Sequence, residues 1–144
     1  KKVLDNVLED LNPLIIDKSI QVSLSTQNVM FKGVETDFKS LFKNLVENAI
    51  KYNKVNGSID IFLTQSEDTI EFVIKDTGIG IPKSHQERIF ERFYQVNKTK
   101  SLYQNGTGLG LAIVKHVVSY YKGNIRVDSE PNLGTTFRVI FHKE

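Results

Sequence analysis

The chain has 144 residues, 40% apolar and 25% charged, which fits one ordinary globular domain with a buried core. Nineteen basic and 17 acidic side chains leave a formal charge of +2, too small a field to draw in nucleic acid or an anionic membrane, so any phosphate chemistry must be local. The absence of cysteine excludes disulfides and thiolate metal sites, and no apolar run is long enough for a spanning helix.

Val3, Leu4, Val7, Leu8 and Leu11 recur at helical spacing and predict an amphipathic helix over residues 2–12, stopped by Pro13. Alternation of Ile20, Val22 and Leu24 with polar residues predicts a half-buried strand. Over residues 36–53 the helical period returns, with Phe38, Leu41, Phe42, Leu45, Ala49 and Tyr52 on one face. Residues 58–65 and 69–76 read as an antiparallel hairpin around Ser66-Glu67-Asp68. About 30 polar and glycine-containing residues follow, with one short helical pattern near residues 84–93, a connection long enough to act as a lid. Leu111, Val114, Val118 and Tyr121 mark a further helix, with Gly123 suited to the left-handed position past its end. Residues 124–129 and 135–142 close the chain as a second hairpin through Asn132-Leu133-Gly134. Strand pairs mixed with about three helices give an α+β class, a two-layer α/β sandwich whose mixed sheet is covered on one face.

Several patterns carry chemistry. Successive helical residues turn by about 100°, so Asn44, Asn48 and Lys51 fall on one polar stripe roughly 60° wide. Amide oxygens can ligate a hard cation such as Mg²⁺ and an ammonium can meet phosphate, although such a stripe is equally an ordinary solvated face. Asp76-Thr77-Gly78-Ile79-Gly80 directly follows a strand; its glycines allow close approach, and its carboxylate can accept a hydrogen bond from an exocyclic amine such as that of adenine. Read alone, Asp-x-Gly is also a common turn. Gly106-Thr107-Gly108-Leu109-Gly110-Leu111 runs into a helix, which sets free N–H groups where an anion would sit. Its spacing is neither the dinucleotide fingerprint nor the P-loop. Phe90-Glu91-Arg92-Phe93-Tyr94 puts aromatics inside the polar connection, where they would anchor it to the core. His85, His116 and His142 lack metal-ligand spacing.

Taken in order, Asn44-Leu-Val-Glu-Asn48-Ala-Ile-Lys51-Tyr52, Asp76-Thr-Gly78-Ile-Gly80, Phe90-Glu-Arg-Phe93-Tyr94 and Gly106-Thr-Gly108-Leu-Gly110-Leu111 resemble the N box, first glycine box, F box and second glycine box of sensor histidine kinases. Gly134-Thr135-Thr136-Phe137 is similar to that family's final hairpin. The resemblance covers nearly the whole chain and implies the Bergerat ATP-binding fold shared with gyrase, heat-shock chaperone and mismatch-repair ATPases. It implies ATP and Mg²⁺ as cofactors, with Asn48 the principal metal ligand and Asn44 beside it. Lys51 would meet phosphate, Tyr52 the adenosine and Asp76 the adenine amine. Gly78, Gly80 and Ile81 would shape that pocket and Thr136 would lie near the base. Residues 81–105 would form the ATP lid, and Gly106, Thr107, Gly108, Leu109, Gly110 and Leu111 would wrap the phosphates. Residues 1–12 would be a linker helix or the end of a dimerisation and phosphoacceptor domain, and 13–144 the catalytic domain.

The same resemblance implies transfer of the γ-phosphate to a histidine on a separate dimerisation domain, and onward to a response regulator receiver domain. It implies a cytoplasmic domain, without membrane contact of its own, in a parent anchored in the inner membrane. No histidine here sits in a His-Glu/Asp acceptor motif, and the chain starts without Met in a helical pattern, so the acceptor is expected on a further part of a longer protein. In hydrolytic relatives a glutamate sits four residues before the metal-binding asparagine; here that residue is Asn44, which cannot act as a general base. An ATPase switch is therefore the lesser reading. Many family members carry an arginine after the F-box tyrosine, whereas this chain has Gln95, and Arg92, Lys98 or Lys100 would have to replace it. That departure keeps open a degenerate nucleotide-binding interaction module.

Overall fold

The computed structural model describes residues 2–92, 94 and 109–143. The elements run α1 (Lys2–Asp17), β1 (Gln21–Thr26), α2 (Glu35–Lys51), β2 (Ser58–Gln65) and β3 (Thr69–Asp76). A 3₁₀ turn (Lys83–His85), α3 (Gly110–Tyr120), β4 (Asn124–Glu130) and β5 (Gly134–His142) complete them. Strand alternation builds one apolar sheet face: Ile59, Ile61 and Leu63 of β2, Ile70, Phe72 and Ile74 of β3, and Phe137, Val139 and Phe141 of β5 are all buried. The register stacks them, with Ile61 opposite Ile74 and Ile74 opposite Phe137.

The sheet order is β1-β2-β3-β5-β4, with β1 parallel to β2 and the other pairs antiparallel. Three α-helices of the described residues share a core with that face: Leu4, Val7 and Leu11 from α1, Leu41, Leu45, Val46, Ala49 and Ile50 from α2, and Val114, Val117 and Val118 from α3. Each such side chain contributes about 1.5–3 kcal/mol of burial. Helix α2 touches α1, α3 and β3, so its polar edge is carried on an element anchored to both neighbouring helices and to the sheet. This is the expected two-layer α+β sandwich. Among the described residues no helix is long and apolar enough to cross a membrane.

Four local expectations change. Helix α1 runs through Pro13 to Asp17, because the missing proline N–H deprives only the carbonyl of exposed Glu9, which water can serve, while Leu11 and Ile15 continue the packed stripe. Where the sequence pattern suggests a helix near residues 84–93, the described residues 83–92 form one 3₁₀ turn and a run of further turns. Past α3 the left-handed residue is Lys122 (φ 57°), not Gly123. The Lys122 amide bonds the Ser119 carbonyl at 3.0 Å and the Gly123 amide bonds that of Val118 at 2.8 Å, a Schellman ending. Gly123 is needed for space, since a Cβ there would lie 2.7 Å from the Ile140 carbonyl oxygen. Finally, Gly134 opens β5 rather than belonging to the turn before it.

Tyr121 ties the far ends of α2 and α3 together. Its hydroxyl donates to Asp37 Oδ2 at 2.6 Å and accepts the Val34 amide at 2.9 Å, so it serves the otherwise uncapped start of α2. Its ring packs with Phe31, Phe38 and Phe141.

Candidate functional site

Asn44, Asn48, Lys51 and Tyr52 are all half-buried along one edge of α2, as the stripe requires. The Asn44 side-chain amide donates to the Ser40 carbonyl at 2.7 Å, which commits its nitrogen and leaves Oδ1 as the outward group. That oxygen lies 3.0 Å from where a Cβ on Gly110 would stand, so the N-box edge directly faces the first residue of α3. Two amide oxygens one helical turn apart, half open to solvent, are a donor set that suits a hard cation completed by water and phosphate.

Asp76 closes β3 and is 5% exposed. Its Oδ1 accepts two amides, from Gly78 at 2.8 Å and from Thr135 at 3.2 Å. Oδ2 makes no hydrogen bond among the described residues. Burial pushes the carboxyl pKa above its ordinary value, and the two amide bonds oppose that shift. Burial also raises the phenol pKa of Tyr52.

The glycine segment is docked from both sides. The Ile79 amide donates to the Tyr52 carbonyl at 3.0 Å, and a Cβ on Gly78 would lie 2.2 Å from that same oxygen. On the other side Gly80 takes φ 73°, and a Cβ there would stand 2.1 Å from the Glu130 carbonyl oxygen. Backbone bonds from Asn132 to the Ile79 carbonyl, 2.7 Å, and from Ile81 to Ser129 Oγ, 2.7 Å, complete the seam with the β4–β5 turn. Ile81 is half-buried against the core.

Thr136 pairs with Lys75 and, together with Asp76 and Thr135, lines one surface cavity. Thr135 is buried, donates its amide to Asp76, and meets Ser129 Oγ through its hydroxyl at 2.8 Å, so it is the threonine in direct contact with the carboxylate.

Several residues that the sequence did not single out hold the site. Asn53 is 6% exposed; its Nδ2 donates to the Ser58 carbonyl at 3.0 Å, and its Oδ1 accepts from Thr77 Oγ1 at 3.0 Å and from the Lys54 amide at 2.9 Å. Gln86 donates to the Ile81 and Ser129 carbonyls, fastening the segment after the glycines. Ile89 is buried and Phe90 meets Phe137 edge-on at 6.3 Å, which is the expected anchoring of the F-box stretch. Tyr94 bonds His85 and lies under Arg88, 4.6 Å from its centroid. The position next to Tyr52 was the available signal for Asn53; nothing in spacing marked Gln86. Arg92 is exposed, Leu109 and Leu111 are half-buried, and Gly110 begins α3. Phe93, Gln95, Lys98, Lys100, Gly106, Thr107 and Gly108 lie outside the described residues. Among the described residues no group of three or more His, Cys, Asp and Glu side chains could hold a metal ion.

Comparison with known proteins agrees with this geometry. Residues 33–144 match the family described as histidine kinase-, DNA gyrase B-, and HSP90-like ATPase. The signal transduction histidine-protein kinase ArlS of Staphylococcus haemolyticus is 40% identical over 134 residues, 93% of this chain and 30% of that relative. The chain thus spans about a third of the length of the curated relatives it matches. Among solved structures, a mycobacterial sensor histidine kinase, MprB, superposes with TM-score 0.83 at 28% identity, covering 98% of this chain and 93% of the other. Full-length ShkA in complex with AMPPNP superposes with TM-score 0.81 at 25% identity, covering 99% and 30%. The chain belongs to the histidine kinase-, DNA gyrase B- and HSP90-like ATPase family, and it is similar over nearly its whole length to the catalytic domains of sensor histidine kinases.

Proposed function

We propose that this domain binds Mg²⁺-ATP and delivers the γ-phosphate to a histidine on a separate dimerisation domain of the same kinase, from which a response regulator receives it. The observation that carries the reading is Asp76: a buried carboxylate held through Oδ1 by two amides, with Oδ2 left to accept an exocyclic amine. The AMPPNP complex of ShkA, a protein of the same fold, supports a nucleotide in this cleft.

In this reading Asp76 takes the adenine amine and Gly78, Gly80, Ile81 and Thr135 wall the base. Tyr52 covers the adenosine. Asn48 and Asn44 would hold Mg²⁺, which when bound neutralises phosphate charge. Lys51 meets the phosphates with the amides from Gly106, Thr107, Gly108, Leu109, Gly110 and Leu111, while Arg92 serves the γ-phosphate. Phosphoryl transfer needs positioning and charge neutralisation more than covalent help, and these groups supply both. Asn44 offers no base to activate water, so transfer to an imidazole is favoured over hydrolysis. Residues 1–12 are the link from the acceptor domain, in a cytoplasmic part of a membrane-anchored parent.

The test is calorimetric titration with ATP, with and without Mg²⁺, of wild type, Asn48→Asp and Asp76→Asn, followed by radiolabel transfer to an added acceptor domain. Mg²⁺-dependent binding that Asp76→Asn weakens by about tenfold to a hundredfold, with transfer to the acceptor, is expected. No binding at millimolar ATP would overturn the reading.

A further inference from the structure

We infer that Lys18, in the turn between α1 and β1, is a positioning residue for the nucleotide site, its ammonium holding the last turn of α2 in the shape that presents Lys51 and Tyr52. The inference rests on the nucleotide reading above.

Lys18 Nζ donates to three carbonyls: Ile50 at 3.0 Å, Lys51 at 2.8 Å and Asn53 at 3.0 Å. Two belong to the last turn of α2 and the third lies just past it, where the macrodipole is negative; the Ile50 carbonyl also accepts the Asn53 amide at 3.2 Å. All three ammonium protons are engaged, and a compact tetrahedral donor suits three convergent oxygens in a way that a planar guanidinium fork does not. The lysine is itself fixed: its amide bonds the Leu14 carbonyl at 3.3 Å, and its carbonyl accepts the Asn56 amide at 2.9 Å.

The clamped stretch is also the platform for the rest of the pocket. The Tyr52 carbonyl receives the Ile79 amide, and Asn53 Oδ1 receives Thr77 Oγ1, so residues 77–79 hang from the turn that Lys18 grips. The seat is close, since a Cβ on Gly78 would stand 2.2 Å from the Tyr52 oxygen. A turn released from Lys18 therefore misplaces the N-box side chains and the Asp76 segment together, and misplacements of about 1 Å in a site of this kind cost heavily. Tyr121 supplies the contrast: it fastens α2 equally firmly, but at the end remote from this cleft.

The experiment compares Lys18→Met, Lys18→Gln and Tyr121→Phe with wild type by Mg²⁺-ATP calorimetry, nucleotide-free thermal melting and amide hydrogen exchange at Ile79. Lys18→Met is expected to bind ATP about tenfold more weakly, the order set by losing charge-assisted bonds, and to exchange faster at Ile79. Lys18→Gln, which keeps a donor, should fall between and provides the test if the Met variant does not fold. Tyr121→Phe should melt earlier yet keep wild-type affinity. Wild-type affinity and Ile79 protection in a folded Lys18 variant overturn the proposal, as does an equal loss of affinity in Tyr121→Phe, which would mean general loosening. If wild type itself binds no ATP, the nucleotide reading fails and the proposed role falls with it. Ile79 exchange would then report only whether Lys18 holds the turn.

Discussion

The amide of Thr135 in β5 donates to Oδ1 of Asp76 at the end of β3, so two neighbouring strands share a buried carboxylate at the floor of the cleft. Replacing that carboxylate tests pocket and fold separately. In Asp76→Asn the amide oxygen can keep the bonds from Gly78 and Thr135, while the other position becomes a donor facing the adenine amine. ATP affinity should drop by about tenfold to a hundredfold, as when a buried polar match turns into a mismatch.

Stability should move the other way. The folded pKa of Asp76 is raised, so the native state holds this proton more tightly than the unfolded chain. Its contribution is fully present below the ordinary carboxylate value and is lost as pH rises through the raised one. Asp76→Asn removes that loss. Urea denaturation from mildly acid to neutral pH should find the variant gaining on wild type across this window; parallel curves would refute the assignment.

Gly134→Ala should be among the most damaging single changes. The residue has φ 131°, and a Cβ there would lie 2.0 Å from the Asp76 carbonyl oxygen. Strain and collision together should cost about 2 kcal/mol or more in denaturant unfolding and displace the carboxylate as well.

Asn53→Ala removes the side-chain donor to the Ser58 carbonyl and the nearer acceptor of Thr77 Oγ1, which keeps only a 3.5 Å contact to that carbonyl, in a half-buried place. A loss of about 2 kcal/mol is expected. Calorimetry should also find weaker ATP binding in a variant that touches no nucleotide, because Thr77 adjoins Asp76.

Ile89→Ala addresses the anchored start of the lid. Ile89 is 5% exposed and part of the main core, so truncation should cost about 2–4 kcal/mol despite its place outside any regular element. A cost near zero would mean that the segment is not seated there.

Most of the architecture could be read from residue patterns, because apolar period and burial coincide. The hairpin bounds at residues 58–65 and 69–76 were legible from alternation alone, and α2 from its stripe. Pro13 misled because a proline ends a helix only where the lost bond matters, and here it faces water. Sheet order was not legible, since antiparallel pairs carry no signal of which hairpin joins which. At the candidate site, the placement of Asn44 and Asn48 on one half-buried edge and of Asp76 at a strand end followed from spacing and pattern. The bond from Thr135 to Asp76 had no signal of its own, because two identical neighbours differ only in which face alternation gives them. Lys18 and Asn53 act through backbone carbonyls and a threonine hydroxyl distant in sequence, a relation that no local pattern encodes.

Helix α3 begins at Gly110 with Leu109 before it, a residue whose side chain supplies no cap, and a few ångströms from Asn44. The amides of a helix's first turn and its positive end favour an anion. On the proposed function that anion is the triphosphate, so the substrate would meet the protein at the start of a secondary-structure element as well as at side chains, and the two helices that face each other at Asn44 and Gly110 would share one charge.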